Sequence, residues 1–169
     1  MLSDHDQLYL RKALTFANGY RELGMYDHAL AELDRLNEQQ MAQREHDQMR
    51  LAILMEAERW RTALPYAHKL AGIETSDPAN VVNLAYVTRR ADSLPEARVI
   101  LENAARHFPN EAIILYNLGC YACCSNEFDT ATRYLKQAFA LDPSFVENSE
   151  SDEDLRPLRN WLQQFRADD

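Results

Sequence analysis

The feature that most constrains the fold of this sequence is the return of the same residue types at intervals of 34 residues. Pairs with this spacing are Pro109 and Pro143, Leu84 and Leu118, Leu101 and Leu135, and Ala104 and Ala138. One column runs through most of the chain and consists of Ala29, Ala63, Ala97 and Ala131. Three residues before each alanine stands a large apolar residue: Tyr26, Trp60, Leu94 and Phe128. A period of this length is typical of stacked-repeat proteins.

Within each period the apolar residues recur at a spacing closer to 3.6 than to 2, which predicts two helices per repeat and an all-α fold. The predicted repeats are residues 10–43, 44–77, 78–111 and 112–145 of a single domain covering 1–169. The second repeat is irregular, because Arg50 stands in an apolar column and Pro65 falls in its second helix. We expect that helix to begin at Arg61 or Thr62, or to be kinked at the proline.

The residues after the last repeat differ from the rest. The acidic stretch 148–154 is predicted to be a solvated connector. Leu155, Leu158, Leu162 and Phe165 then recur at helical spacing and predict an amphipathic capping helix over about residues 152–166. Such a helix would cover the outward apolar face of the last repeat.

Composition excludes several classes of function. The formal net charge of -9 disfavours binding to nucleic acid or to anionic lipid. No apolar run approaches the roughly 20 residues that a membrane-spanning helix needs. The sequence begins without a basic region followed by an apolar one, and its three cysteines are clustered, so a cytoplasmic location is expected.

Two segments carry a family resemblance. Leu118-Gly119, Ala131, Leu135, Ala138 and Leu141-Asp142-Pro143 resemble the tetratricopeptide repeat, as do Leu84-Ala85, Ala97, Leu101, Ala104 and Pro109. The resemblance implies a right-handed superhelical array of about four helix-turn-helix repeats with a capping helix. It also implies a non-catalytic scaffold whose concave groove, lined by the first helix of each repeat, binds a peptide or a partner helix.

Placing that groove on this sequence gives a set of candidate binding residues. They are Asn18, Arg21, Met55, Tyr86, Arg89, Arg90, Tyr116, Asn117 and Cys120, and the same face includes Arg11, Leu14 and Glu45. One hypothesis is that the arginines and tyrosines hold an acidic ligand with aromatic or aliphatic groups. The alternative is that the arginines are ordinary solvated helix residues. The groove could instead hold the chain's own tail or a second copy of the protein, giving a homodimer or a chaperone-like subunit.

Cys120, Cys123 and Cys124 are the one group that invites a chemical interpretation. A zinc site needs four ligands, and only His107 is an obvious fourth. A reactive thiol needs a nearby positive charge, and the sequence shows none close by. We therefore expect these cysteines to pack between helices, with a thiol or metal function as the less favoured alternative. No catalytic motif, cofactor site or metal site is predicted.

Overall fold

The chain is all-α in a computed structural model, which describes residues 2–73, 77–91 and 93–167. Over these residues there is no strand, which confirms the predicted fold class. The chain divides into two compact units, Met1–Thr75 and Ser76–Asp169, referred to below as unit 1 and unit 2. None of the helices described is both long enough and apolar enough to cross a membrane.

Unit 1 contains two pairs of packed helices and one short helix between the pairs. Its helices are α1 (Asp4–Glu22), α2 (Tyr26–Asp34), α3 (Glu38–Met41), α4 (Arg44–Glu56) and α5 (Trp60–Ile73). Packing joins α1 to α2 and α4 to α5, as the predicted repeats require. Ala17 and Ala29 are fully buried, because only small side chains let the two helices of a pair approach closely.

The irregular second repeat folds in spite of its two unusual residues. Its second helix begins at Trp60, one residue before the earliest predicted start, and keeps Pro65 inside. Proline has no N–H, so the carbonyl of the residue four positions earlier loses its usual helical partner there. Arg50 pairs with Asp34 of α2, and its guanidinium lies 5.7 Å from the ring centre of Tyr66.

Unit 2 contains two further pairs and the C-terminal elements. Its helices are α6 (Pro78–Ala91), α7 (Leu94–His107), α8 (Ala112–Cys124), α9 (Phe128–Leu141), α10 (Ser144–Ser151), a 3₁₀ helix (Glu153–Leu158) and α11 (Arg159–Ala167). The pair α8 and α9 is packed most tightly at Gly119. A Cβ atom at this position would lie 2.8 Å from Cγ of the buried Leu135.

The turns within pairs share one backbone feature. Gly24, Glu58 and Asn126 have φ angles of 70°, 55° and 60°, and each follows the first helix of a pair. These positions are 34 and 68 residues apart. At these three turns the left-handed conformation reverses the chain at the same point of the repeat.

The predicted capping helix over about 152–166 is divided in the structure. A 3₁₀ helix covers Glu153–Leu158 and an α-helix starts only at Arg159, because Pro157 in a continuous α-helix would clash with the carbonyl of Glu153. The capping residues are nevertheless buried, since Leu155, Leu158 and Leu162 are 0%, 7% and 4% exposed in the core of unit 2.

Candidate functional site

The predicted groove residues lie on the first helix of each pair. We call the exposed surface of α1 and α4 the first-helix face of unit 1, and that of α6 and α8 the first-helix face of unit 2. In unit 2 this face contacts the chain's own residues 152–158, which we call the acidic segment.

Arg89 of α6 binds Asp154 of the acidic segment with two nitrogens. Its Nη2 lies 2.6 Å from Oδ1 of Asp154, and its Nη1 contacts Oδ2. This two-point pairing is the geometry in which guanidinium groups hold carboxylates most firmly. Burial alone would raise the pKa of Asp154, but the hydrogen bonds and charge of Arg89 outweigh it, so the pKa is lowered. Asp154 is therefore held as an anion.

A second carboxylate of the segment lies against α8. The hydroxyl of Tyr116 donates to Oδ2 of Asp152 at 2.9 Å, and Sγ of Cys120 lies 3.5 Å from the same oxygen. The other oxygen of Asp152 accepts from the backbone N–H of Asp154 at 2.9 Å and caps the 3₁₀ helix. Phe145 stacks on the ring of Tyr116, with 4.8 Å between the ring centres. The face thus holds both carboxylates and an aromatic ring.

Three other candidate residues of unit 2 lie on the same two helices. The guanidinium of Arg90 lies 5.5 Å from the ring centre of Tyr86, within reach of a cation–π interaction. Asn117 uses its side-chain N–H group to donate to the carbonyl of Ile113 at 2.8 Å. Arg90 is exposed, whereas Tyr86 and Asn117 are half-buried.

The cysteine cluster has the properties of packed thiols. Cys120 and Cys123 are buried and Cys124 is exposed. Burial, and then the charge of Asp152, raises the pKa of Cys120, and burial followed by Asp154 raises the pKa of Cys124 to about 11. Thiols of this kind stay protonated near neutral pH and are poor nucleophiles. Among the residues described, no group of three His, Cys, Asp or Glu side chains could hold a metal ion.

The first-helix face of unit 1 carries a related arrangement. Arg21 donates to Oδ1 of Asn18 from Nε at 3.1 Å and from Nη2 at 2.9 Å, and it pairs with Glu56 of α4. Met55 is half-buried beside Glu56 in the sequence. Arg21 stands two repeats before Arg89, and Glu56 stands two repeats before Cys124.

This correspondence explains why Arg21 and Arg89 have carboxylate partners from different parts of the chain. In unit 1 the next repeat supplies a carboxylate, Glu56, to the arginine. In unit 2 the same step along the chain leads to Cys124, whose Sγ lies 3.5 Å from Nη2 of Arg89 and offers no charge. The carboxylate for Arg89 comes instead from Asp154.

Unit 1 also has an open cleft on this side of α1. Its volume is about 510 Å³. The apolar lining residues are Leu2, Leu10 and Leu14, and the polar ones are Gln7, Arg11, Gln43 and Glu45. Three of these lining residues, Arg11, Leu14 and Glu45, belong to the face predicted from the sequence.

Sequence reasoning missed two parts of this arrangement. The prediction that residues 148–154 form a solvated connector is wrong, because α10 extends to Ser151 and Asp152 and Asp154 contact α8 and α6. The buried leucines at 155 and 158, three residues apart, were the available signal. Also missed was the buried pair His46 and Asp47, in which Nδ1 and Oδ1 are 3.2 Å apart.

Comparison with known proteins bears on the fold. The sequence matches no family model and no curated protein. The structure is similar to that of MamA from Desulfovibrio magneticus RS-1 (residues 41 to the end), with TM-score 0.69, 16% identity, and coverage of 80% of this chain and 76% of that one. MamA MSR-1 gives a TM-score of 0.65 and 17% identity, with coverage of 80% of this chain and 78% of that one. YrrB, described as a TPR protein with an unusual peptide-binding site, gives a TM-score of 0.63 and 20% identity, with coverage of 75% of this chain and 66% of that one. The chain therefore has a tetratricopeptide-like, all-α repeat fold.

Proposed function

We propose that this protein is a non-catalytic interaction scaffold that binds an extended peptide or a partner helix on its first-helix faces. One observation carries the proposal: the first-helix face of unit 2 already holds a non-α-helical segment of the chain through Arg89 and Tyr116. A face that accommodates one such segment has the shape and the donors to accommodate another. The protonated thiols and the similarity to a repeat protein with a peptide-binding site support the non-catalytic assignment.

The partner is expected on the first-helix face of unit 1. In unit 2 the acidic segment is anchored by buried leucines, so a competing peptide would have to displace part of the core. Unit 1 offers Asn18, Arg21 and Met55 together with the open cleft beside Arg11. Apolar side chains of a ligand would enter the cleft, and its carboxylates would pair with Arg11 and compete with Glu56 for Arg21.

In unit 2 the proposed contacts are Tyr86, Arg90 and Asn117. They lie on the helices that hold the acidic segment, and the charge of Arg90 adds to that of Arg89 in lowering the pKa of Asp154. They form the proposed binding set of unit 2, separate from that of unit 1, and Tyr116, Arg89 and Cys120 are proposed to serve the intramolecular contact.

The test uses a peptide of known sequence. A fluorescein-labelled synthetic peptide with the sequence of residues 146–158 is titrated with the full chain, and anisotropy is recorded. We expect saturable binding that weakens about tenfold in Arg21→Ala, because loss of one charged hydrogen-bond pair costs about 1.5 kcal/mol. The matched control is Arg98→Ala, which removes a half-buried arginine from the second helix α7.

The outcome that contradicts the proposal is equally clear. Equal affinity of Arg21→Ala and Arg98→Ala for the peptide, or no binding by the parent chain, would refute this face as an acidic-peptide site. A second peptide with Asn in place of both aspartates should bind more weakly. Far-UV circular dichroism of each variant shows whether the fold is retained.

Self-association is a second candidate function. It is favoured by a separate observation, an exposed apolar stripe on α1.

A further inference from the structure

The outer side of α1, together with its C-cap residue Leu23, carries large apolar side chains at intervals of seven residues. Tyr9, Phe16 and Leu23 are 44%, 58% and 73% exposed, and Leu8 beside them is 48% exposed. A step of seven residues turns an α-helix by only about 20° away from two full turns, so Tyr9, Phe16 and Leu23 lie along one side. We call these three residues the α1 stripe. An exposed apolar row of this size on one helix marks an interaction surface.

The α1 stripe lies apart from the other surfaces of α1. The buried residues of α1, Leu10, Ala13 and Ala17, are on the side that packs within unit 1. Asn18 and Arg11 are on the first-helix face. At about 100° per residue the stripe points about 150° away from Asn18 and Arg11, and its mean direction is about 90° from that of the buried residues, with Ala13 nearest to it.

The repeat shows what kind of element covers this column. Phe16 corresponds to Arg50 and Leu118 at multiples of 34 residues. Arg50 pairs with Asp34 of α2, the second helix of the preceding repeat. Leu118 is 1% exposed in the core of unit 2, where α8 packs on α7 and α9. The positions that correspond to Phe16 therefore contact neighbouring helices, whereas Phe16 itself is 58% exposed.

We propose that the α1 stripe is a dimerisation surface and that it packs against the α1 stripe of a second copy, with the two helices antiparallel. The spacing is self-complementary about Phe16. When the two copies of Phe16 meet on the two-fold axis, Tyr9 of each copy faces Leu23 of the other. Gly19, at which a Cβ would meet nothing within 4 Å, leaves room beside Phe16 for the opposite helix.

The charge on the stripe favours the antiparallel orientation. Lys12 lies between Tyr9 and Phe16 and is exposed. In a parallel pair the two copies of Lys12 would face each other, which is unfavourable. In the antiparallel pair they are displaced by eight residues, or about 12 Å at the α-helical rise, and each lies at the level of Tyr20 of the other copy. One helix per copy makes a small interface, so the dimer is expected to form in a concentration-dependent way.

Sedimentation velocity of the full chain over a roughly hundredfold concentration range tests the dimer. The key variant is Phe16→Glu, and the matched control is Val99→Glu, which places the same charge on another exposed apolar residue (55% exposed) of α7. We expect the parent and Val99→Glu to shift from monomer to dimer, and Phe16→Glu to remain monomeric. Both residues are exposed, so folding should be retained, and circular dichroism checks this.

Disulfide trapping in a Cys124→Ser background tests the orientation. Phe16→Cys should form a covalent dimer, and a mixture of Tyr9→Cys with Leu23→Cys should form the mixed dimer, because disulfides need Cα atoms within about 7 Å. Tyr9→Cys alone should form no disulfide-linked dimer.

Three results would overturn the proposal: a parent chain that is monomeric throughout, a dimer that persists in Phe16→Glu, or a Tyr9→Cys homodimer. Peptide binding at Arg21 lies on another side of α1, so failure of either proposal can be recognised without the other.

Discussion

Replacing Gly119 by alanine tests whether close helix packing requires a glycine in the most tightly packed pair. The new Cβ would lie 2.8 Å from Cγ and 2.9 Å from Cδ2 of Leu135, and 3.4 Å from the carbonyl oxygen of Ala131. The nearest atom is a branch carbon of a fully buried side chain, so a simple rotation of a terminal methyl cannot relieve the contact. Overpacking of this kind costs about 1–3 kcal/mol.

The same substitution also has a stabilising effect on the helix. Substitution of a second glycine, Gly19, measures that effect without the clash. Alanine is favoured over glycine inside a helix by about 0.5–1 kcal/mol. Gly19 in α1 has nothing within 4 Å of its added Cβ, so Gly19→Ala should stabilise unit 1 by about that amount. For Gly119→Ala the clash exceeds the gain, and we expect a net loss of about 1–2 kcal/mol in unit 2.

Urea unfolding followed by tryptophan fluorescence can separate the units. The chain has two tryptophans, Trp60 in unit 1 and Trp161 in unit 2, so Trp60→Phe leaves a reporter for unit 2 alone. The denaturation midpoint should fall for Gly119→Ala in this background. An unchanged or higher midpoint would show that Leu135 moves at no cost, and the packing explanation for Gly119 would be wrong.

Three further predictions concern the C-terminal elements and the buried histidine. Leu155→Ala should lower the stability of unit 2 by about 2–4 kcal/mol, because a fully buried leucine leaves a cavity; urea unfolding measures it, and unit 1 should be unaffected. A double-mutant cycle on Arg89→Ala and Asp154→Ala should give a coupling of about 0.5–2 kcal/mol in the free energy of unfolding. This coupling should be present above pH 3.8 and disappear as the pH falls further, because Arg89 lowers the pKa of Asp154 in the folded state. Burial lowers the pKa of His46 below 6.5, so the imidazole is neutral in the folded chain at neutral pH, and the stability of unit 1 should fall as pH drops below 6.5. His46→Gln should reduce this dependence of stability on pH. An equal pH dependence in the variant would contradict the burial of a neutral His46.

The repeat architecture could be predicted from the sequence because it depends on side-chain size at fixed intervals. Ala29, Ala63, Ala97 and Ala131 are all fully buried, as their column indicated. A position where two backbones approach closely accepts only a small residue, and this requirement returns in every repeat. The large residue three positions earlier is less strictly constrained, and Phe128 is 40% exposed.

The contact of the acidic segment with the first-helix face of unit 2 could not be predicted in the same way. Arg89 and Asp154 are 65 residues apart, and their contact occurs once, so no repeat interval reveals it. The acidity of residues 148–154 favoured a solvated connector, whereas Leu155 and Leu158 bring the neighbouring carboxylates onto the helices. The role of Arg21, Tyr86, Arg90 and the other groove candidates in binding a partner stays a prediction.

The acidic segment follows α6 to α9 in the sequence, and this order has a consequence for synthesis on the ribosome. Helices α6 to α9 are complete before the residues that cover α8 have emerged, because translation adds those residues later. Until Leu155 and Leu162 leave the exit tunnel, Tyr116 and the apolar surface around it are exposed to water and to any nearby chain. A nascent polypeptide halted before residue 155 would therefore expose an apolar surface that is buried in the folded protein.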